Sequence, residues 1–143
     1  MMRRLLFCIA IPLLVGLPLF RVEAAMVVIV HPKNGTESMN QRQLVDLYMG
    51  RSMNFPNGEP ALTLDQAANS QARADFYHLL VDKNLAQVNA YWARLLFTGR
   101  STPPRPLDDS RAVLKAVSEN PSAIGYLDSS EIDSSVKVVA YVE

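Results

Sequence analysis

The spacing of apolar residues changes several times along this chain, and each change marks an element. Residues 5–20 form one unbroken apolar run, LLFCIAIPLLVGLPLF. Met26 to Val30 (MVVIV) is a shorter, β-branched run ending at His31-Pro32. It suits a strand covered on both faces, as in a parallel or mixed sheet. Lys33-Asn34-Gly35-Thr36 reads as a turn, and formally also as a glycosylation acceptor. Ser38, with Gln41 three residues on, has the form of a capping box opening a helix. Leu44, Val45, Leu47 and Tyr48 supply its apolar face and Gly50 stops it. Arg51 to Pro60 is a loop punctuated by Pro56, Asn57-Gly58 and Pro60, and Ala61 to Leu64 is a second strand.

The next helix is capped by Ser70 or Asn69. Ala72, Phe76, Leu79 and Leu80 fall at i, i+4, i+7 and i+8, a buried stripe, while Gln71, Asp75, His78 and Asp82 make the wet face. A further helix runs from Leu85 to Phe97, with Leu85, Val88, Trp92, Leu95 and Leu96 on one side. Thr98 to Pro106 (TGRSTPPRP) predicts no regular structure. Asp108 or Ser110 caps a helix bearing Val113, Leu114 and Val117, which ends before Asn120-Pro121. Ile124 to Leu127 is a short strand, Asp128 to Glu131 a polar bend, and Val136 to Val142 the closing strand. The predicted order is β-α-β-α-α-α-β-β without internal repeats. It packs naturally as one α/β domain, a small mixed sheet flanked by helices.

The apolar run at residues 5–20 sits outside that domain. A basic head, Met1-Met2-Arg3-Arg4, precedes it, and Val22 and Ala24 follow as the small residues a signal peptidase needs. This predicts a secretory signal over residues 1–24, cut after Ala24 or Ala25, and a binding domain over 25–143 in the periplasm or outside the cell. The rival, a retained membrane anchor, is disfavoured because a run of sixteen residues interrupted by Pro12 and Pro18 is shorter than the ~20 that span a bilayer.

Cleavage changes the chemistry. Losing Arg3, Arg4, Arg21 and Glu23 leaves 11 basic and 13 acidic residues, a formal charge of −2. A mildly acidic chain has no basic footprint for nucleic acid. The only cysteine, Cys8, leaves with the signal, which removes disulfides, thiolate metal sites and a cysteine nucleophile.

Dinucleotide, P-loop, nucleophile-elbow and zinc-protease motifs are all missing. His31 and His78 lie 47 residues apart, which supports neither a metal site nor a cofactor. His78 reads as an exposed i,i+4 partner of Asp82, and His31 as the end of a strand. A small hydrolase would need a serine within reach of His31. Trp92 reads as core with Tyr91 at its edge, not as a stacking platform. Arg94, Arg100, Arg105 and Arg111 read as a solvated rim with partners such as Asp108 and Asp109.

The turn from Asp65 to Arg73 carries a mechanism. A helix start offers unpaired N–H groups and the positive end of its dipole. Asp65 leaves the strand, Asn69 and Ser70 are hydrogen-bonding caps, and Arg73 lies one turn in, so a small oxyanion can dock there. The competing reading is that Ser70 only caps its own helix.

Three stretches together resemble the substrate-binding components of phosphate ABC transporters, of the periplasmic binding-protein class. Residues 39–65, MNQRQLVDLYMGRSMNFPNGEPALTLD, are similar to that family's helix, F-x-G stop, tryptophan-containing loop and Gly-led strand. AIGYL at 123–127 resembles its GAIGY strand, and NSQARADFY at 69–77 the region of its Ser-Gly-Thr phosphate loop. Ser70 and Phe76 fit that loop and Asp65 fits across a longer turn. Gln71 and Ala72 stand where glycine and threonine are usual, and Phe55 near a usual tryptophan. The resemblance covers most of Val27 to Val142. It implies one lobe of a type II periplasmic binding protein and no catalysis. It also implies phosphate or another small oxyanion at Asp65, Asn69, Ser70 and Arg73, in association with ABC-type transport. Such proteins close two lobes over a solute. With one lobe, a second copy or an envelope partner completes the cleft, or the lobe serves as a non-catalytic protein-interaction or sensory module of the cell envelope.

Overall fold

A computed structural model describes residues 25–143, so the predicted signal peptide lies outside the described residues. The β-branched run forms β1, Met26–Val30, which lies between β4 (Ala123–Asp128) and β5 (Lys137–Val142) and pairs antiparallel with both. β2 (Leu62–Asp65) runs parallel to β4. With β3 (Arg105–Pro106) beside β2, the sheet is mixed and five-stranded, ordered β3-β2-β4-β1-β5.

The continuous apolar run has the expected cause, since both faces of β1 are covered. Val28 and Val30 enter the larger core with residues of the first three helices. Val27 and Ile29 enter a smaller core with Val113 and Val117 of the last α-helix. Those helices are α1 (Gln41–Tyr48), α2 (Gln71–Val81) and α3 (Leu85–Phe97), opposite α4 (Ser110–Glu119). Tyr48, Phe76 and Tyr126 join the helices to the sheet, with Phe76 stacked on Tyr126 at 3.7 Å between ring centroids.

Several details depart from the sequence reading. The capping box of α1 is Asn40 with Gln43, not Ser38 with Gln41. The Met39 N–H bonds to the carbonyl of Val139, so the preceding chain is tied to β5 and cannot begin the helix. On α2 the buried side is Arg73, Phe76, Tyr77 and Leu80, while Leu79 is 37% exposed. The predicted stripe is rotated because Arg73 and Tyr77 turn inward to a polar partner, and periodicity counts only apolar residues. Arg105–Pro106, expected to be irregular, forms β3 parallel to Leu64 and Asp65. An edge strand tolerates this proline. Asp109, between the two candidates, caps α4.

Candidate functional site

Asp65 ends β2 inside the protein, 3% exposed. Its carboxylate accepts from four groups. Oδ1 takes the Gln66 N–H (2.9 Å) and the Tyr126 hydroxyl, and Oδ2 takes Arg73 Nε (3.1 Å) and the Tyr77 hydroxyl (3.0 Å). Arg73 Nη1 donates onward to the carbonyl of Ala68 and to Asn89 Oδ1 on α3. One ion pair thereby ties together the strand end, the turn, α2 and α3. Gln66 extends the network, its side-chain amide donating to the carbonyl of Tyr126 and to Ser110 Oγ at the start of α4.

The tyrosines act as donors. Burial, reinforced by the negative charge of Asp65, pushes the Tyr126 and Tyr77 hydroxyls well above the ordinary tyrosine range. Burial does the same to Tyr48, whose hydroxyl donates to the carbonyl of Leu64. The end of β2 is therefore held by neutral hydroxyls and one guanidinium.

Of the four residues predicted as the site, two meet inside. Asp65 and Arg73 form the buried pair just described. Ser70 is the N-cap of α2, its Oγ accepting from the Arg73 N–H at 3.1 Å. Asn69 is exposed at the tip of the turn. The N–H groups of Gln71 and Ala72, the first two of α2, have no acceptor among the described residues. The Ser70 hydroxyl accepts through a lone pair, so its own proton is still available to donate.

Beside this turn lies a hollow of about 290 Å³. Its polar lining is Asp65, Gln66, Arg73 and Asn89, and Trp92, Ala93, Leu96 and Pro103, Pro104 and Pro106 form its apolar wall. Asn69 and Ser70 do not line it. Sequence reasoning missed Gln66, Tyr77, Asn89 and Tyr126. A signal for Tyr77 existed in its i,i+4 spacing from Arg73, and one for Tyr126 in the AIGYL segment.

The remaining candidates are structural. His78 pairs with Asp82 at 3.5 Å on an exposed face. His31 Nδ1 accepts from the Lys33 N–H, and no serine bonds to it among the described residues. Trp92 is core, 5% exposed, and the Tyr91 hydroxyl at its edge donates to the carbonyl of Met49. Arg94, Arg100, Arg105 and Arg111 are exposed as expected, but none pairs with Asp108 or Asp109. Asp109 caps α4 through the Ala112 N–H instead.

This architecture, a five-stranded mixed sheet flanked by helices, has the fold of one lobe of the substrate-binding proteins of phosphate ABC transporters. The chain is similar to such a protein from Clostridium perfringens, whose structure carries bound phosphate, with a TM-score of 0.65 and 22% identity over 81% of this chain and 44% of that one. An ABC-type phosphate transport receptor from Vibrio cholerae matches with a TM-score of 0.65 and 18% identity over 81% and 45%. PstS from Borrelia burgdorferi matches with a TM-score of 0.61 and 13% identity over 82% and 47%. The chain thus spans less than half the length of each. No protein-family model and no curated sequence matches it.

Proposed function

We propose that this chain is an extracytoplasmic solute-binding protein that holds phosphate or another small oxyanion at the start of α2, in association with ABC-type transport. The observation that carries the proposal is the cluster of free donors there, the Gln71 and Ala72 N–H groups and the Ser70 hydroxyl, with Asn69 alongside. They sit at the positive end of an eleven-residue helix, where anions are favoured. Asp65 and Arg73 are assigned the supporting role. Their ion pair and the Arg73 bond to Ala68 fix the turn that aims the donors. The phosphate bound by the C. perfringens neighbour supports the choice of oxyanion.

An anion on this open turn stays partly wet, because strong binding needs most of the ligand surface covered. A second copy of the chain, an ABC transporter or another envelope protein would cover the exposed side of the anion. Thermal unfolding with added phosphate and sulfate tests the binding. At 100 times the dissociation constant the gain is about 2.7 kcal/mol. No shift in either anion at millimolar concentration would end the proposal. Export through residues 1–24 is part of the same reading, and the intact mass of the exported protein tests it.

A second reading, a non-catalytic interaction module of the envelope, is favoured by Phe97, 95% exposed at the end of α3 beside the half-exposed Leu96. Site-specific photo-crosslinking from position 97 in the exporting cell distinguishes it. A discrete partner band supports this reading, and the absence of any such product removes it.

A further inference from the structure

The hollow beside α3 is a site in its own right. We infer that it takes a small organic acid, a monocarboxylate with an apolar body, separately from the oxyanion at the start of α2.

Its volume, about 290 Å³, is at the lower edge of the ~300–1,000 Å³ usual for small-molecule pockets. Its lining also has the composition of such pockets, mostly apolar with a few converging polar groups. At the polar end Arg73 has a side chain only 9% exposed. Nε is committed to Asp65, and Nη1 to Ala68 and Asn89. Nη2 has no acceptor among the described residues, and Asn89, having given its oxygen to Arg73, keeps its amide N–H groups to donate. Both residues line the hollow, so it offers two free donor groups to the two oxygens of a carboxylate.

Charge selects between kinds of acid. Asp65 stands 3.1 Å from Arg73 Nε and offsets the guanidinium. A doubly charged inorganic anion would find nearly neutral ground and no apolar surface of its own to bury. A monoanion with a hydrocarbon body gains from both ends. Its carboxylate meets charge-assisted donors, and its chain covers Trp92, Leu96 and the prolines at ~25 cal/mol per Å² of apolar surface removed from water.

Trp92 is the only tryptophan in the chain and forms part of the wall, so its fluorescence reports occupancy directly. The experiment titrates hexanoate, hexanol and inorganic phosphate into the protein and follows Trp92 emission. Hexanoate is expected to give a saturable change at millimolar concentration, and hexanol and phosphate none. Asn89→Leu is expected to weaken hexanoate about tenfold, the loss of one hydrogen bond to a charged acceptor. Leu96→Asp is expected to abolish the change while leaving the urea midpoint in place, since Leu96 is 51% exposed. No saturable change with hexanoate would overturn the inference. An equal response to hexanol or phosphate would overturn it too, as would an undiminished response in Leu96→Asp. Phosphate binding at α2 could survive any of these results, because Ser70 and Asn69 lie outside the hollow.

Discussion

Replacing Asp65 with asparagine removes one charge from a buried pair with almost no change in volume. The side chains of Arg73 and Asp65 are 9% and 4% exposed, so each relies on the other far more than on water. The carboxylate accepts from two donors on each oxygen. An asparagine offers one oxygen, and its NH₂ must face either Arg73 and Tyr77 or Gln66 and Tyr126. Tyr126 can rotate its hydroxyl to accept, but Arg73 and the Gln66 N–H cannot. The lowest-cost arrangement therefore keeps the oxygen toward Arg73, leaves the Gln66 N–H with only its longer bond to the Tyr126 hydroxyl (3.2 Å), and leaves a buried guanidinium uncompensated. Breaking a buried ion pair in this way costs about 3–5 kcal/mol, a large part of the ~5–15 kcal/mol that holds a domain together. Arg73→Met leaves Asp65 with three donors and should cost less, about 2–4 kcal/mol. In the double variant the two costs should fall short of their sum by about 2 kcal/mol, since each single change removes the same interaction. Urea unfolding at pH 7, followed by circular dichroism and Trp92 emission, measures all three. Single variants that each lose less than about 1 kcal/mol, with no coupling, would refute the view that this pair anchors the turn.

Two further outcomes follow from the packing and the tyrosines. Gly125→Ala would place its Cβ 2.5 Å from Val113 Cγ1, so it should destabilise by about 1–3 kcal/mol, and Val113→Ala should recover much of that. Tyr48, Tyr77 and Tyr126 have hydroxyl pKa values raised above the unfolded value of 10.0. Their stability contribution is complete below that value and is lost as pH rises beyond it, at about 1.4 kcal/mol per pH unit per tyrosine. Tyr126→Phe should make the alkaline limb of the urea midpoint shallower by one proton, and an unchanged slope would count against the buried-donor role.

Four of the five strands and the identity of the helices were legible because they rest on periodicity and breakers. MVVIV, the Gly50 stop and the Asn120-Pro121 end all declare themselves locally. The rotation of α2 was not legible, since Arg73 and Tyr77 are buried by a carboxylate that periodicity does not count. Nor was the true cap of α1, because the bond from Met39 to Val139 crosses a hundred residues. β3 was hidden in a proline-rich segment that local rules assign to loop. The candidate turn was found by helix-terminus chemistry, but the same logic could not tell which of its residues face inward. Asp65 and Arg73 read as ligand groups in sequence and are engaged with each other in the fold. Asn69 and Ser70 stand at the surface, where a ligand can reach them.

The measurement that bears most directly on oxyanion binding at the start of α2 is an amide ¹H–¹⁵N titration with phosphate, run on the wild type and on Ser70→Asp. Aspartate caps a helix as well as serine does, so the fold is kept, while its charge repels an anion from the same donors. The expected result is a saturable set of shifts centred on Asn69, Ser70, Gln71 and Ala72 that vanishes in the variant. Shifts scattered over the surface, absent at tens of millimolar phosphate, or unchanged in Ser70→Asp would contradict it.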